Sequence, residues 1–215
     1  MSLMLENLAL NLNGAVLIKP FTLEIAPSEI VTLMGPSGSG KSSLLSAISG
    51  GLPEAFKMSG KILVKGREIS SLSPTRRRIG RLFQDDLLFP HLSIGENLLF
   101  GMAQGPREHR AFKMQEALVE IELEGVEHRG PHTLSGGQRQ RVALMRSLLA
   151  GPDAMLLDEP FSKLDENLRA AMRELTFAKL KHSGTPTLLV THDKEDAPLH
   201  GRIFKIENAE VKRVR

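Results

Sequence analysis

IVTLMGPSGSGKSS, Ile30 to Ser43, is the stretch whose reading decides the fold. Its first five residues form an apolar run that ends at Gly35, the pattern of a buried strand. Gly35-Pro36-Ser37-Gly38-Ser39-Gly40-Lys41-Ser42-Ser43 follows, and then a helical segment in which Leu44, Leu45 and Ile48 mark one face and Gly50-Gly51 the stop. Strand, G-x-x-x-x-G-K-S and helix together are a phosphate-binding loop in its expected context. Glycines let backbone N–H groups turn toward phosphate oxygens, and the helix N-terminus adds partial positive charge. Lys41 is placed to reach β and γ phosphates, and the Ser42 hydroxyl to ligate Mg²⁺.

Working outward, the residues before this stretch read as short strands: Leu3-Met4-Leu5 begins one, and Phe21 to Ile25 alternates. Gly60 to Ile69 reads as a strand pair. Beyond it, residues 85 to 130 are helical in pattern, with HRAFKMQEALVEIEL the clearest piece. A helix from SGG, the strand AMLLDEP (Ala154 to Pro160), a helix to about Lys181 and the strand TLLVTHD (Thr187 to Asp193) complete the chain. Apolar strands separated by helices predict an α/β fold. With the phosphate loop, this order resembles a RecA-like phosphate-loop NTPase, which implies a parallel core sheet, an antiparallel β part near the N-terminus and an inserted helical subdomain. As a single domain over 1–215, it divides into a core of 1–84 and 136–215 and a helical insert of 85–135. In such sheets ligands bind at the carboxyl ends of the strands. Asp158 ends one and is a candidate to hold Mg²⁺ through water; Glu159 is the candidate to polarise an attacking water. Adjacent acids also serve as helix caps, but the loop upstream favours the chemical reading.

The composition narrows the classes. A length of 215 residues and 23.6 kDa suits one α/β domain, and the absence of cysteine removes disulfides and thiolate metal sites. A net charge of +3 is too small to imply nucleic acid, and RRRIGR, Arg76 to Arg81, reads as a solvated face. MSLMLENLALNLNG lacks the basic n-region of a signal peptide, and no apolar run approaches the roughly 20 residues that cross a bilayer. Work at a membrane would need a partner to hold the chain there.

TLSGGQRQR, Thr133 to Arg141, is a second glycine-rich helix start. Ser135-x-x-Gln138 has the form of a capping box, and Val142, Met145, Leu148 and Leu149 give the helix an apolar face. Two glycines there cost roughly 1 kcal/mol each relative to alanine, a cost that chains bear where backbone must approach a ligand closely.

LSGGQRQR, with the phosphate loop before it and LLLDEP after it, resembles the ATP-binding cassette (ABC) family over essentially the whole chain. The resemblance implies that Leu134, Ser135, Gly136, Gly137 and Gln138 close on the γ-phosphate of ATP held by a partner subunit, so that two chains sandwich two nucleotides head to tail. It implies that Gln84, in FQDDLLFPHLSIGENL, contacts Mg²⁺ and the attacking water. Asp165, in SKLD, resembles the aspartate that crosses the dimer interface, and His192 the histidine that bonds the γ-phosphate. Leu12 stands where the family usually stacks adenine on an aromatic ring. Ser28-Glu29 and Lys163 are smaller departures, away from the phosphates.

LLFPHLSIGENLLF, 87 to 100, either packs the helical insert or receives a coupling helix from a transmembrane subunit. HRGPHTLSGGQ is similar to bacterial importers, and the 23 residues after His192 to short ATPases of small-solute uptake. The implied setting is a peripheral ATPase on the cytoplasmic face of the inner membrane. Its partners would be transmembrane permease subunits and an extracytoplasmic solute-binding protein, its ligands ATP and Mg²⁺, with no nucleic acid. The other reading is a soluble ABC ATPase acting as a nucleotide-gated clamp in DNA repair or translation. Against that stand a single cassette and only 92 residues, without sustained heptads, between Ser42 and Ser135.

Overall fold

Asn13 and Gly14, both at positive φ (49° and 86°), make the two-residue turn that matches the twist of a tight hairpin. They join β1 (Leu3–Leu12) to β2 (Ala15–Ile25), in a computed structural model that describes residues 2–215. At ten and eleven residues these strands are longer than the short ones the sequence suggests. A bulge near Asn7, at φ 47°, lets the pairing continue past the point where the alternation breaks. The chain continues through β3 (Ile30–Met34), α1 (Lys41–Ser49), β4 (Phe56–Val64), β5 (Arg67–Glu68), α2 (Pro74–Arg77) and β6 (Ile79–Leu82). After these come α3 (Ile94–Gly101), α4 (Arg107–Glu120), α5 (Gly136–Leu149), β7 (Ala154–Asp158), α6 (Glu166–His182), β8 (Thr187–Val190), β9 (Ile203–Glu207) and β10 (Glu210–Arg213).

The described chain forms two compact units. The first comprises residues 2–81, 152–159 and 180–215. Its four-stranded sheet has the order β2-β1-β4-β5 and is antiparallel throughout. The second sheet runs β10-β9-β3-β8-β7-β6, with β3 parallel to β8 and β9, and β7 parallel to β8. Every residue of β3, β7 and β8 is buried, which is why these strands read as unbroken apolar runs. One apolar cluster, including Leu5, Leu10, Ile25, Leu33, Leu45, Ile62, Leu156 and Ile206, joins both sheets to α1. The hairpin β9–β10 extends the sheet beyond the three strands expected from sequence.

Helix α1 begins at Gly40 (φ 95°) and stops at Gly50 (φ 87°), whose N–H donates to Ala47 O. Gly50 is required twice over, since a Cβ there would lie 2.7 Å from Arg77 Nε. The Arg77 guanidinium is buried and donates to Ala47 O, Ile48 O, Leu72 O and Ser70 O. A cation on the last carbonyls of α1 also suits the negative end of the helix dipole. The RRRIGR run is therefore not a plain solvated face: Arg77 is 7% exposed and the Arg81 side chain 10%.

The second unit comprises residues 82–151 and 160–179 and is wider than the expected helical stretch 85–135, because it also takes in α5 and most of α6. Helix α3 starts with a complete capping box between Ser93 and Glu96, and it packs on α5 and α4. Gly101 allows that approach, since a Cβ there would meet Arg146 O at 2.6 Å. Buried Asn97 accepts from Phe89 N and donates to Phe89 O and Ser93 O, so the loop before α3 is fixed by a side chain. No helix among the described residues is long and apolar enough to cross a membrane.

Candidate phosphate-binding site

The loop Gly35 to Ser43 leaves the carboxyl end of β3 and enters α1, as strand-to-helix loops at anion sites do. Gly40 caps the helix in the left-handed region, and a Cβ there would come within 3.0 Å of Leu17 Cγ. No other residue fits both the backbone and the space. The Lys41 ammonium donates to Gly35 O and Pro36 O, each at 2.8 Å, holding the loop arched over its own side chain. Burial lowers the pKa of Lys41, opposed by the negative charges of Glu159 and Asp158. Ser39 Oγ is buried with no hydrogen-bond partner among the described residues. An orphaned hydroxyl and an arch of backbone N–H groups are what an anion would satisfy.

Strands β7 and β8 deliver the acids and the histidine to the same unit. Asp158, the last residue of β7, pairs in register with Val190 and is 5% exposed. Ser42 Oγ donates to Asp158 Oδ1 at 3.4 Å, and Arg81 Nη2 lies 3.7 Å from Oδ2. Burial raises the Asp158 pKa; the Ser42 hydrogen bond and the Arg81 charge oppose that, and the Glu159 charge adds to it. Arg81 also donates to Ser46 Oγ and Ser49 Oγ on α1. Burial lowers its pKa, with Asp158 opposing.

Glu159 follows at φ 49°, a left-handed conformation rare for a non-glycine residue. Its carboxylate lies 2.9 and 3.0 Å from His192 Nδ1, where an N–H donates. The Glu159 side chain is 13% exposed and that of His192 71%, so the pair opens to solvent at the imidazole. Thr191, between them in chain order, is buried with its hydroxyl 2.8 Å from Asp196 and 3.4 Å from Glu159. Among the described residues no three His, Asp or Glu gather into a metal site. Ser42 and Asp158 supply two adjacent oxygens, so a hard cation there would draw its remaining ligands from water and phosphate.

The other sequence-predicted residues lie in the second unit. Ser135 and Gln138 complete their capping box in both directions: Ser135 N donates to Gln138 Oε1 at 2.9 Å, and Gln138 N to Ser135 Oγ at 3.2 Å. Leu134 is buried and anchors the turn. A Cβ on Gly137 would meet Lys163 O at 3.1 Å, whereas one on Gly136 would meet nothing nearer than Arg139 Nη2 at 4.0 Å. Asp165 caps α6, its carboxylate accepting from Leu168 N. Gln84 is exposed in the turn after β6. Leu12, in the first unit, lines a cavity beside the phosphate loop.

Reading the sequence misses the parts played by Arg81, beside Asp158, and Thr191, beside Glu159. Strand alternation could have found the first: Arg81 shares a face of β6 with Ile79, which packs on the core.

Comparison with known proteins agrees with this geometry. A family model described as ABC transporter matches residues 18–162. The chain is 44% identical over 203 residues to the uncharacterized ABC transporter ATP-binding protein YnjD of Escherichia coli, covering 94% of each. It is 41% identical to the spermidine/putrescine import ATP-binding protein PotA 1 of Pseudomonas aeruginosa, over 94% of this chain and 56% of that one. Its identity to the sulfate/thiosulfate import ATP-binding protein CysA of Caulobacter vibrioides is 39%, over 89% and 58%. The chain thus spans little more than half the length of those two importer proteins. Among solved structures, the dimeric post-hydrolysis state of the ATP-binding cassette MJ0796 bound to ADP and Pi superimposes with a TM-score of 0.83. It is 31% identical, with 99% of each chain covered. A complete phosphate loop, the LSGGQ helix start and this likeness over the whole fold make the chain a member of the ABC transporter family.

Proposed function

We propose that this chain is the ATP-hydrolysing subunit of an ABC importer and that it works as a head-to-tail pair of cassettes. Gly136 carries the argument. It stands in the first turn of a completely capped helix where nothing among the described residues excludes a side chain. A glycine kept there against helix propensity suits close approach to a ligand from outside the chain. In a head-to-tail pair that ligand is the γ-phosphate of the partner's ATP, approached by Leu134 to Gln138. The MJ0796 cassette, dimeric with ADP and Pi, and the import proteins PotA and CysA support the same reading.

The loop from Gly35 through Pro36, Ser37, Gly38, Ser39 and Gly40 to Lys41, Ser42 and Ser43 holds the phosphates. Lys41 exchanges two carbonyl acceptors for phosphate oxygens, and Ser39 gains a partner for its buried hydroxyl. Ser42 and Asp158 would hold Mg²⁺; their adjacent oxygens and the buried carboxylate fit a hard cation. When bound, Mg²⁺ neutralises charge across the phosphate oxygens. Glu159 accepts the proton of the attacking water, and His192, already against its carboxylate, keeps it aimed and donates to the γ-phosphate. Asp165 contributes at the pair's interface. Residues 85–135 form the insert that meets a transmembrane permease, which with an extracytoplasmic solute-binding protein sets the solute.

The test is Glu159→Gln in the full chain. It should bind ATP, hydrolyse at least a hundredfold more slowly, and accumulate as an ATP-dependent dimer by size-exclusion chromatography. Tagged and recovered with ATP from solubilised membranes of its host, it should bring a permease with it. Wild-type turnover would remove Glu159 from the base role, and recovery with only soluble repair or ribosomal proteins would remove the importer reading.

A further inference from the structure

A cavity of about 190 Å³ lies against the phosphate loop, and its two sides differ in chemistry. Gly38, Lys41 and Ser43 belong to the anion-binding side; Leu12, Leu17 and Phe56 form the other, with no hydrogen-bonding side chain. Such a space suits a molecule that is ionic at one end and flat and apolar at the other.

Among the described lining residues Phe56 alone is aromatic. It opens β4 and stands directly across the antiparallel ladder from Leu12. Opposed residues in such a ladder project from the same face of the sheet, so the ring sits beside the Leu12 side chain. Leu12 pairs on its other side with Ala15, and Leu17, two residues on, shares that face. Phe56 is half-buried, while Leu8, Leu10 and Ile62 of the same sheet are sealed in the core. A half-buried ring beside a phosphate loop keeps part of its surface open to a ligand in that cavity.

We propose that Phe56 is the stacking platform for the nucleotide base, supplying from β4 the aromatic surface that β1 lacks at Leu12. This rests on the nucleotide reading above. The apolar side can read the flat face of a base but not its hydrogen-bonding edge, so adenine and guanine nucleotides bind with similar affinity.

The test measures binding of ATP, GTP and inorganic tripolyphosphate to the full chain by calorimetry. Phe56→Leu keeps apolar volume and removes the ring. It should weaken ATP and GTP together by about tenfold, within the range measured for base–aromatic stacking, and leave tripolyphosphate unchanged. Phe56→Trp should hold or tighten ATP, and Leu12→Tyr added to Phe56→Leu should restore it. Wild-type ATP affinity in Phe56→Leu would overturn the proposal, and so would equal losses of ATP and tripolyphosphate, which would mark a structural residue. A wild-type chain that bound neither ATP nor tripolyphosphate would overturn the nucleotide reading itself, and the base platform with it.

Discussion

Arg77 and Arg81 show how a single residue can be miscast by its neighbours. Within RRRIGR their charge suggests solvent, yet the Arg77 guanidinium makes four hydrogen bonds to carbonyls, two of them at the end of α1. Burial lowers its pKa, but an arginine stays charged even so. Removing it would leave those carbonyls without donors beneath the helix that carries the phosphate loop. Arg77→Met should therefore cost about 3 kcal/mol of stability, chiefly from carbonyls left unpaired. In a chain of this size that lowers Tm by roughly 6–12 °C. Thermal unfolding checks the figure, while tripolyphosphate binding well below the transition should persist. A change under about 1 kcal/mol would mean that water replaces the guanidinium.

Helix α5 separates what an element needs for itself from what it offers. Its Ser135–Gln138 box satisfies its own first turn, and Gly136 adds nothing to that. Gly136→Ala should thus raise the denaturation midpoint slightly, by up to about 1 kcal/mol of stability, and lower ATP turnover at least tenfold without weakening ATP binding by the monomer. Undiminished turnover would show that this helix start does not close on a phosphate. Such elements are the ones the sequence makes legible. The loop into α1 and the box at α5 depend on residues three to five apart, and so do the apolar runs of β3, β7 and β8. Less legible were β6, β9 and β10, short strands that gain their order from partners far along the chain. The juxtaposition of Leu12 and Phe56 is likewise a matter of ladder register across 44 positions, which no local pattern encodes. Arg81 reaches Asp158 for the same reason.

At the scale of the molecule, the first unit gathers chain from three separate stretches, and polar ties hold their ends together. Asp153, before β7, bonds Lys65 after β4 at 2.6 Å and Arg78 before β6 at 3.0 Å. Burial pushes its pKa up, but the Lys65 and Arg78 contacts outweigh that and hold it below the ordinary aspartate value. A depressed carboxylate contributes stability above its unfolded pKa and loses it as pH falls toward the folded value. Asp153→Asn should accordingly be about 1 kcal/mol less stable than wild type at pH 7. That gap should hold to about pH 5 and close below roughly pH 4. Urea unfolding at pH 7, 5 and 2 measures it; a gap that survives at pH 2, below both titrations, would assign the effect to geometry rather than charge. The left-handed turn at Glu159 bears on the molecule in another way. A side chain in that conformation costs about 1 kcal/mol that glycine would not, and its contact with the exposed His192 returns little of it. If Glu159 acts as proposed, glycine at position 159 would relieve that strain and keep the fold while losing turnover, so durability and work pull this residue in opposite directions.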